Sequence, residues 1–130
     1  MLLPIFLMLL LTFVQALLPG MYLSKQVGSA NQMGPRDDLP PPSRELGRAQ
    51  RALANLHETL PVFLTLALLS LILGEQGWLS LLGAWVFLLG RVAHIFCYMR
   101  GLSPWRSYAF GLACLGLAAM VIPLVPHLWS

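Results

Sequence analysis

Four long apolar stretches constrain the fold of this chain more than any other feature of its sequence. They cover approximately residues 1–23, 52–73, 78–99 and 108–128. Each is about 20 residues long, the length an α-helix needs to cross the ~30 Å hydrocarbon core of a bilayer. Membrane β-barrels instead use segments of ~10 residues with alternating polarity, and none of these stretches alternates. The sequence therefore predicts an all-α membrane protein, a bundle of four transmembrane helices in one domain over residues 1–130.

The composition excludes several other classes of protein. Hydrophobic residues make up 58% of the chain and charged residues 10%, whereas soluble domains carry about 25% charged residues. The net charge of +3 is scattered, and no basic cluster alternates with aromatic residues as a nucleic-acid groove requires. Cys97 and Cys114 lie in apolar stretches without metal-ligand spacing, so we expect two inert thiols and no metal site.

The first apolar stretch has a second interpretation, as a cleaved signal peptide. Val14-Gln15-Ala16 would be a tolerable cleavage site. However, no Lys or Arg precedes the apolar run, and the run continues past this site to Leu23. Retention as a membrane helix is the favoured interpretation.

The connections between the stretches predict the orientation of the bundle. Residues 24–47 form a polar loop whose three consecutive prolines, Pro40 to Pro42, exclude a helix there. Basic residues flank the first and third connections, and the second connection and both termini have none. The positive-inside rule then predicts cytoplasmic first and third connections and non-cytoplasmic termini. The basic residues concerned are Lys25, Arg36, Arg44, Arg48, Arg51, Arg100 and Arg106.

Polar residues also occur where these predicted helices begin and within their apolar stretches. Each ionisable group inside the membrane costs about 2.5–3.5 kcal/mol on insertion scales. In the second helix they have the spacing i, i+3, i+7, i+10, which places them on one face; they are Arg48, Arg51, Asn55 and Glu58. The third helix adds three polar residues at i, i+3 and i+7, and the fourth helix opens with two more; they are Arg91, His94, Tyr98, Arg106 and Ser107. The stripe of the second helix, Tyr98 and Arg106 lie toward the same side of the membrane, and Arg91 and Glu58 lie about two turns deeper. Together they predict a cationic pocket for a small anionic ligand, which arginines can pair bidentately, beside a bilayer that supplies a lipophilic second ligand.

Less specific explanations remain open for individual residues. Arg48 and Arg100 lie at helix ends, from which long basic side chains can reach the lipid head groups. Glu58 can form a structural ion pair with one arginine of another helix. The collective pattern of three or more arginines with Asn, Glu, His, Tyr and Ser favours the binding pocket.

Two segments resemble one known family of membrane proteins. The first, residues 48–63, reads RAQRALANLHETLPVF and is similar to the signature R-A-x-x-N-x-x-E-x-x-P-x-F. The second, GRVAHIFCY at residues 90–98, is followed by Arg106-Ser107. Both resemble the MAPEG family, the membrane-associated proteins in eicosanoid and glutathione metabolism. The proline-containing loop resembles that of bacterial members, which implies a bacterial inner membrane.

The resemblance implies a homotrimer that binds glutathione, as co-substrate, in a U shape between neighbouring subunits near the cytoplasmic side. It implies that Arg106 lies next to the glutathione sulfur, with Ser107 as its neighbour. The glutathione-binding residues that it implies are Arg51, Asn55, Glu58, His94 and Tyr98.

The chemistry of a thiol beside an arginine makes Arg106 and Ser107 the predicted catalytic residues. A free thiol has a pKa near 8.5, and a fixed guanidinium next to the sulfur favours the thiolate and lowers that pKa. The thiolate is the nucleophile, and Ser107 can donate a hydrogen bond to it. We therefore expect a glutathione-dependent transferase or peroxidase acting on lipophilic electrophiles or lipid hydroperoxides.

Two other functions compete with this expectation. One is a non-catalytic lipid-binding or scaffolding protein of the same family, which would have no use for the arginine set. The other is a small exporter of cationic drugs, which needs a carboxylate in its first helix. The first helix here contains no acidic residue, so the sequence argues against the exporter.

Overall fold

The computed structural model describes residues 1–129, which fold into a bundle of helices. The α-helices are α1 (Leu2–Val27), α2 (Ser29–Met33), α3 (Arg44–Ile72), α4 (Trp78–Arg100) and α5 (Trp105–Val121), and a 3₁₀ helix (Ile122–Trp129) continues α5. Within the described residues, four helices are long and apolar enough to cross a membrane, namely α1, α3, α4 and α5 with its 3₁₀ extension. The prediction of an all-α membrane protein with four spanning helices is confirmed.

The helix ends differ from those predicted from apolar length. Helix α3 begins at Arg44 rather than near residue 52, because the Ser43 hydroxyl accepts the Leu46 N–H at 3.2 Å and caps the helix. At the other end of the chain, α5 gives way to a 3₁₀ helix, in a segment where Pro123 and Pro126 lack the N–H groups of a regular helix. Apolar length marks the membrane-crossing part of a helix, whereas caps and prolines decide where it ends.

The predicted loop over residues 24–47 is partly helical. Helix α1 continues to Val27 and α2 follows it, so the irregular segment is confined to residues 34–43. Gln26 fixes this segment to the end of α1: its Nε2 donates to the Pro41 carbonyl and its Oε1 accepts the Ser43 N–H, both at 2.8 Å. The proline run is therefore held against the bundle by one side-chain amide.

Contacts at the two ends of the bundle show which connections share a face. The Met1 amino group donates to Gln76 Oε1 at 3.3 Å, and His127 Nε2 lies 2.8 Å from Glu75 Oε1. Met1 and His127 thus both lie beside the turn between α3 and α4. At the opposite end, the first turns of α3 meet the last turn of α4, so the first and third connections share a face. Which face is cytoplasmic stays a prediction from the charges.

Small residues let α4 and α5 approach closely. A Cβ added at Gly116 would lie 2.5 Å from the Gly83 carbonyl oxygen, and one added at Gly90 would lie 2.8 Å from the Ala113 nitrogen. Such small-residue contacts are typical of membrane helices that pack backbone against backbone. On the α3 side, the rings of Phe63 and Phe87 are stacked with centroids 4.6 Å apart. The close packing of α4 against α5 and the ring contact with α3 position α4 and α5, the two helices that bear most of the predicted site.

Candidate functional site

A cavity of about 250 Å³ lies at the end of the bundle where α3 begins, α4 ends and α5 begins. We refer to it as the arginine cavity, because Arg48 and Arg51 of α3 and Arg106 of α5 all line it. Three guanidinium groups around a partly enclosed space favour an anionic ligand. The complete lining is Arg48, Arg51, Cys97, Tyr98, Gly101, Leu102, Ser103 and Arg106.

A second cavity of about 260 Å³ adjoins the first. We refer to it as the asparagine cavity; its lining is Asn55, His94, Tyr98, Arg106, Ser107 and Phe110. Tyr98 and Arg106 line both cavities, and the Arg106 Cζ lies 4.7 Å from the centre of the Tyr98 ring. This cation–π pair forms the wall that the two cavities share.

Arg48 is held by the protein rather than extended toward lipid head groups. Its Nη1 donates to the Met99 carbonyl at 3.2 Å, one of the carbonyls that the end of a helix leaves unpaired. Gly101 has a φ of +68°, and its missing side chain leaves room for the guanidinium, which lies 2.6 Å from the position of an added Cβ. Arg48 thereby ties the start of α3 to the end of α4 and closes one side of the arginine cavity.

Arg91 is the most deeply buried cation of the bundle, with an exposed fraction of 0%. Its Nη1 donates to the Asn55 Oδ1 at 2.8 Å, which joins α4 to α3 at the asparagine cavity. Within residues 1–129, its Nε and Nη2 have no hydrogen-bond partner, and neither does the Nδ1 of His94. The His94 ring is also buried and lies 5.4 Å from the Tyr98 ring and 6.4 Å from the Phe110 ring.

The structure brings together all the predicted site residues except Glu58. The residues that line a cavity are Arg51, Asn55, His94, Tyr98, Arg106 and Ser107. Glu58 is exposed on α3 and lines neither cavity. Within the part of the chain that the structure describes it forms no salt bridge, so the ion pair considered from the sequence is not found.

The sequence did not place Cys97 in the site, and it did not give the contact that Arg91 makes there. Cys97 was expected to be an inert thiol, yet it is half-buried and lines the arginine cavity. Its position three residues after His94, on the same helix face, was the available signal. Arg91 was recognised as an unusual charge in the membrane, but its bond to Asn55 depends on how α3 and α4 pack, which the spacing alone does not give.

The lining groups define what the site can do chemically. Arginine side chains and the asparagine amide donate hydrogen bonds to carboxylates and carbonyls, and Ser107 can donate to an anion near Arg106. Among residues 1–129, no group of three or more His, Cys, Asp or Glu side chains is placed to hold a metal ion. The arrangement suits an anionic ligand with carboxylate and carbonyl groups.

Comparison with known proteins identifies the family of this chain. The model of the MAPEG family matches residues 1–125 of the chain. A prostaglandin E synthase of the horse, Equus caballus, is 35% identical over 91 residues, which are 69% of this chain and 56% of the horse protein. The chain thus matches little more than half the length of that relative. The match of the family model over nearly the whole chain, together with the four spanning helices, shows that this integral membrane protein belongs to the MAPEG family.

Proposed function

We propose that this protein is a membrane-embedded, glutathione-dependent transferase or peroxidase that activates the glutathione thiolate against lipophilic electrophiles or lipid hydroperoxides. One observation carries the proposal: Arg106 lies in the wall between two cavities whose other polar groups are hydrogen-bond donors suited to carboxylates and carbonyls. Membership of the MAPEG family supports glutathione as the ligand.

Two adjoining cavities of about 250 and 260 Å³ with a shared wall suit a tripeptide that is bent in the middle. Glutathione has a carboxylate at each end and its thiol on the central residue. A ligand that occupies both cavities must pass the Tyr98–Arg106 wall. One arm would pair with Arg51 in the arginine cavity, and the other would meet Asn55 and His94 in the asparagine cavity. The central thiol would then lie beside the Arg106 guanidinium.

Arg106 and Ser107 would supply the chemistry. The guanidinium stabilises the thiolate and lowers the thiol pKa from about 8.5, and the Ser107 hydroxyl donates a hydrogen bond to the sulfur. In a transfer reaction, the thiolate forms a C–S bond to the electrophile and displaces its leaving group. With a hydroperoxide, the thiolate attacks the terminal oxygen and forms an S–O bond while the O–O bond breaks, and the departing alkoxide takes a proton from water to give the alcohol. The thiol of a second glutathione then condenses with the sulfenic acid to give the disulfide and water.

The exposed position of Glu58 fits a ligand that extends beyond one copy of the chain. A carboxylate is the natural partner for the glutathione ammonium group, but Glu58 lies outside both cavities. We propose that the protein is a homotrimer in which Glu58 faces glutathione at the boundary with a neighbouring copy. We also propose that the cavities open toward the cytoplasm of a bacterium, as the positive-inside rule predicts.

A glutathione titration tests the proposed function directly. Purified protein in detergent is titrated with glutathione at several pH values, and the difference absorbance of the thiolate band is recorded. The variants are Arg106→Ala, Arg106→Lys and the matched control Arg100→Ala. Arg100 belongs to the same end of the bundle but lines neither cavity.

We expect wild type and Arg100→Ala to show a thiolate signal at pH 7 that Arg106→Ala loses. Each unit by which the bound thiol pKa rises in the variant reduces the thiolate about tenfold when it is the minor form. Conjugating activity that survives in Arg106→Ala would refute the mechanism. Absence of a signal in folded wild-type protein, with retained binding of fatty acids, would instead support the lipid-binding function.

A further inference from the structure

We propose that Arg91 is a positioning residue of this site: it fixes the side-chain amide of Asn55 so that the NH₂ group, and not the carbonyl oxygen, is presented to the ligand. The identity of the ligand in this proposal rests on the proposed function. The orientation of the amide rests on the structure alone.

The direction of the Asn55 amide follows from the chemistry of its neighbour. A guanidinium has five N–H donors and no acceptor. Its Nη1 lies 2.8 Å from the Asn55 side chain, so the atom facing it must be the carbonyl oxygen. The opposite orientation would place N–H groups against N–H groups. Because the amide is planar, its NH₂ group lies on the side away from the oxygen.

Burial makes this orientation hard to reverse. Arg91 has an exposed fraction of 0%, and within residues 1–129 its Nε and Nη2 have no hydrogen-bond partner. The Asn55 oxygen is therefore the acceptor on which the buried cation depends in this chain. Rotation of the amide would leave the whole guanidinium without an acceptor, which is costly in a buried setting.

The fixed orientation of the Asn55 amide determines which groups of a ligand the asparagine cavity can bind. Asn55 lines this cavity and its amide nitrogen makes no hydrogen bond within the described residues, so it is available to a ligand. An N–H donor fixed at this position can donate to a carboxylate or an amide carbonyl of the ligand, and it disfavours an ammonium group. The asparagine cavity would thus bind an acceptor group of glutathione, while its ammonium group lies elsewhere.

An Asn55→Asp substitution separates this role from simple packing. Asp keeps an oxygen for Arg91 and adds an ion pair, but an ionised carboxylate has no hydrogen to donate to the cavity. We expect the dissociation constant for glutathione to rise at least about tenfold, since a hydrogen bond to a charged group is lost and a negative charge is added. The midpoint of unfolding should not fall. Asn31→Asp, which adds the same charge outside both cavities, should leave binding unchanged.

A second pair of variants tests whether Arg91 acts through Asn55. Arg91→Met should weaken glutathione binding in the wild-type background and should have no further effect on binding in Asn55→Ala, because the group it positions is already gone. Independent, additive effects of the two substitutions would overturn the proposal, and so would wild-type affinity in Asn55→Asp.

Unfolding measurements keep the proposal testable even if the protein does not bind glutathione. Asn55→Leu removes the acceptor of Arg91, whereas Asn55→Asp retains it, so Asn55→Leu should unfold at a lower denaturant concentration than Asn55→Asp. Equal stability of these two variants would show that Asn55 does not hold Arg91. Failure of wild type to bind glutathione would refute the proposed function and leave this comparison as the test of the Arg91–Asn55 orientation.

Discussion

The contact between Gly83 and Gly116 gives a sharp prediction about the packing of α4 against α5. In a Gly116→Ala variant, the new methyl group would lie 2.5 Å from the Gly83 carbonyl oxygen and 2.6 Å from the Phe87 nitrogen. Ordinary van der Waals contact begins at 3.4 Å, so the two backbones must separate by about 0.9 Å, the difference between 3.4 Å and 2.5 Å. Neither neighbouring atom belongs to a flexible side chain that can move aside.

The expected cost follows from this geometry. Overpacking of a tightly packed core costs about 1–3 kcal/mol, and we expect Gly116→Ala to fall in this range because backbone atoms have to move. Gly111→Ala is the matched control on the same helix, where an added Cβ meets nothing within 4 Å. Alanine has a higher helix propensity than glycine by up to about 1 kcal/mol, so this control should be neutral or slightly stabilising.

Unfolding in mixed detergent micelles provides the measurement. The two variants and wild type are titrated with sodium dodecyl sulfate in a mild detergent, and helix content is followed by far-ultraviolet circular dichroism. Gly116→Ala should unfold at a lower fraction of dodecyl sulfate than wild type, and Gly111→Ala should not. If the two variants unfolded together, the close approach of α4 and α5 would not be what stabilises this interface.

Two further predictions concern the capped start of α3 and the thiol in the arginine cavity. Ser43→Ala removes the N-cap of α3 and should lower the free energy of unfolding by about 1 kcal/mol. Ser24→Ala is the control, because it removes only a solvent-exposed contact of 3.3 Å to the Ser29 hydroxyl and should leave the same detergent titration almost unchanged. Equal effects of the two substitutions would contradict the cap. S-methylglutathione, which has no free thiol, should slow the alkylation of Cys97 by N-ethylmaleimide at least about threefold, because the bound ligand occupies the arginine cavity. Cys114 lies outside this cavity and should react at an unchanged rate. Mass spectrometry follows both reactions. An unchanged rate at Cys97 would place the ligand outside the arginine cavity.

The membrane-spanning architecture was predictable because it depends on length and polarity alone. Four apolar stretches near the thickness of a bilayer leave few alternatives to four spanning helices. The ends of these helices were less predictable, because hydrogen bonds decide them. Ser43 extends α3 well into the polar region, and the Gln26 amide holds the proline segment in place.

The candidate site was predictable where residues share a helix face. The spacing of His94 and Tyr98, and of Arg51 and Asn55, placed each pair on one side of its helix, and all four line the cavities. Contacts between helices could not be read from spacing. The bond from Arg91 to Asn55 depends on the relative rotation of two helices, which side-chain packing determines.

The glycine contact between α4 and α5 also bears on the order in which the protein can assemble. These two helices share the most extensive interface of the bundle, and only residues 101–104 connect them. Once both have been inserted, they can pair in the bilayer as a hairpin, in line with the view that spanning helices form first and associate afterwards. This hairpin carries Tyr98 and Arg106, so the wall that the two cavities share can be in place before α3 packs against it and contributes Asn55.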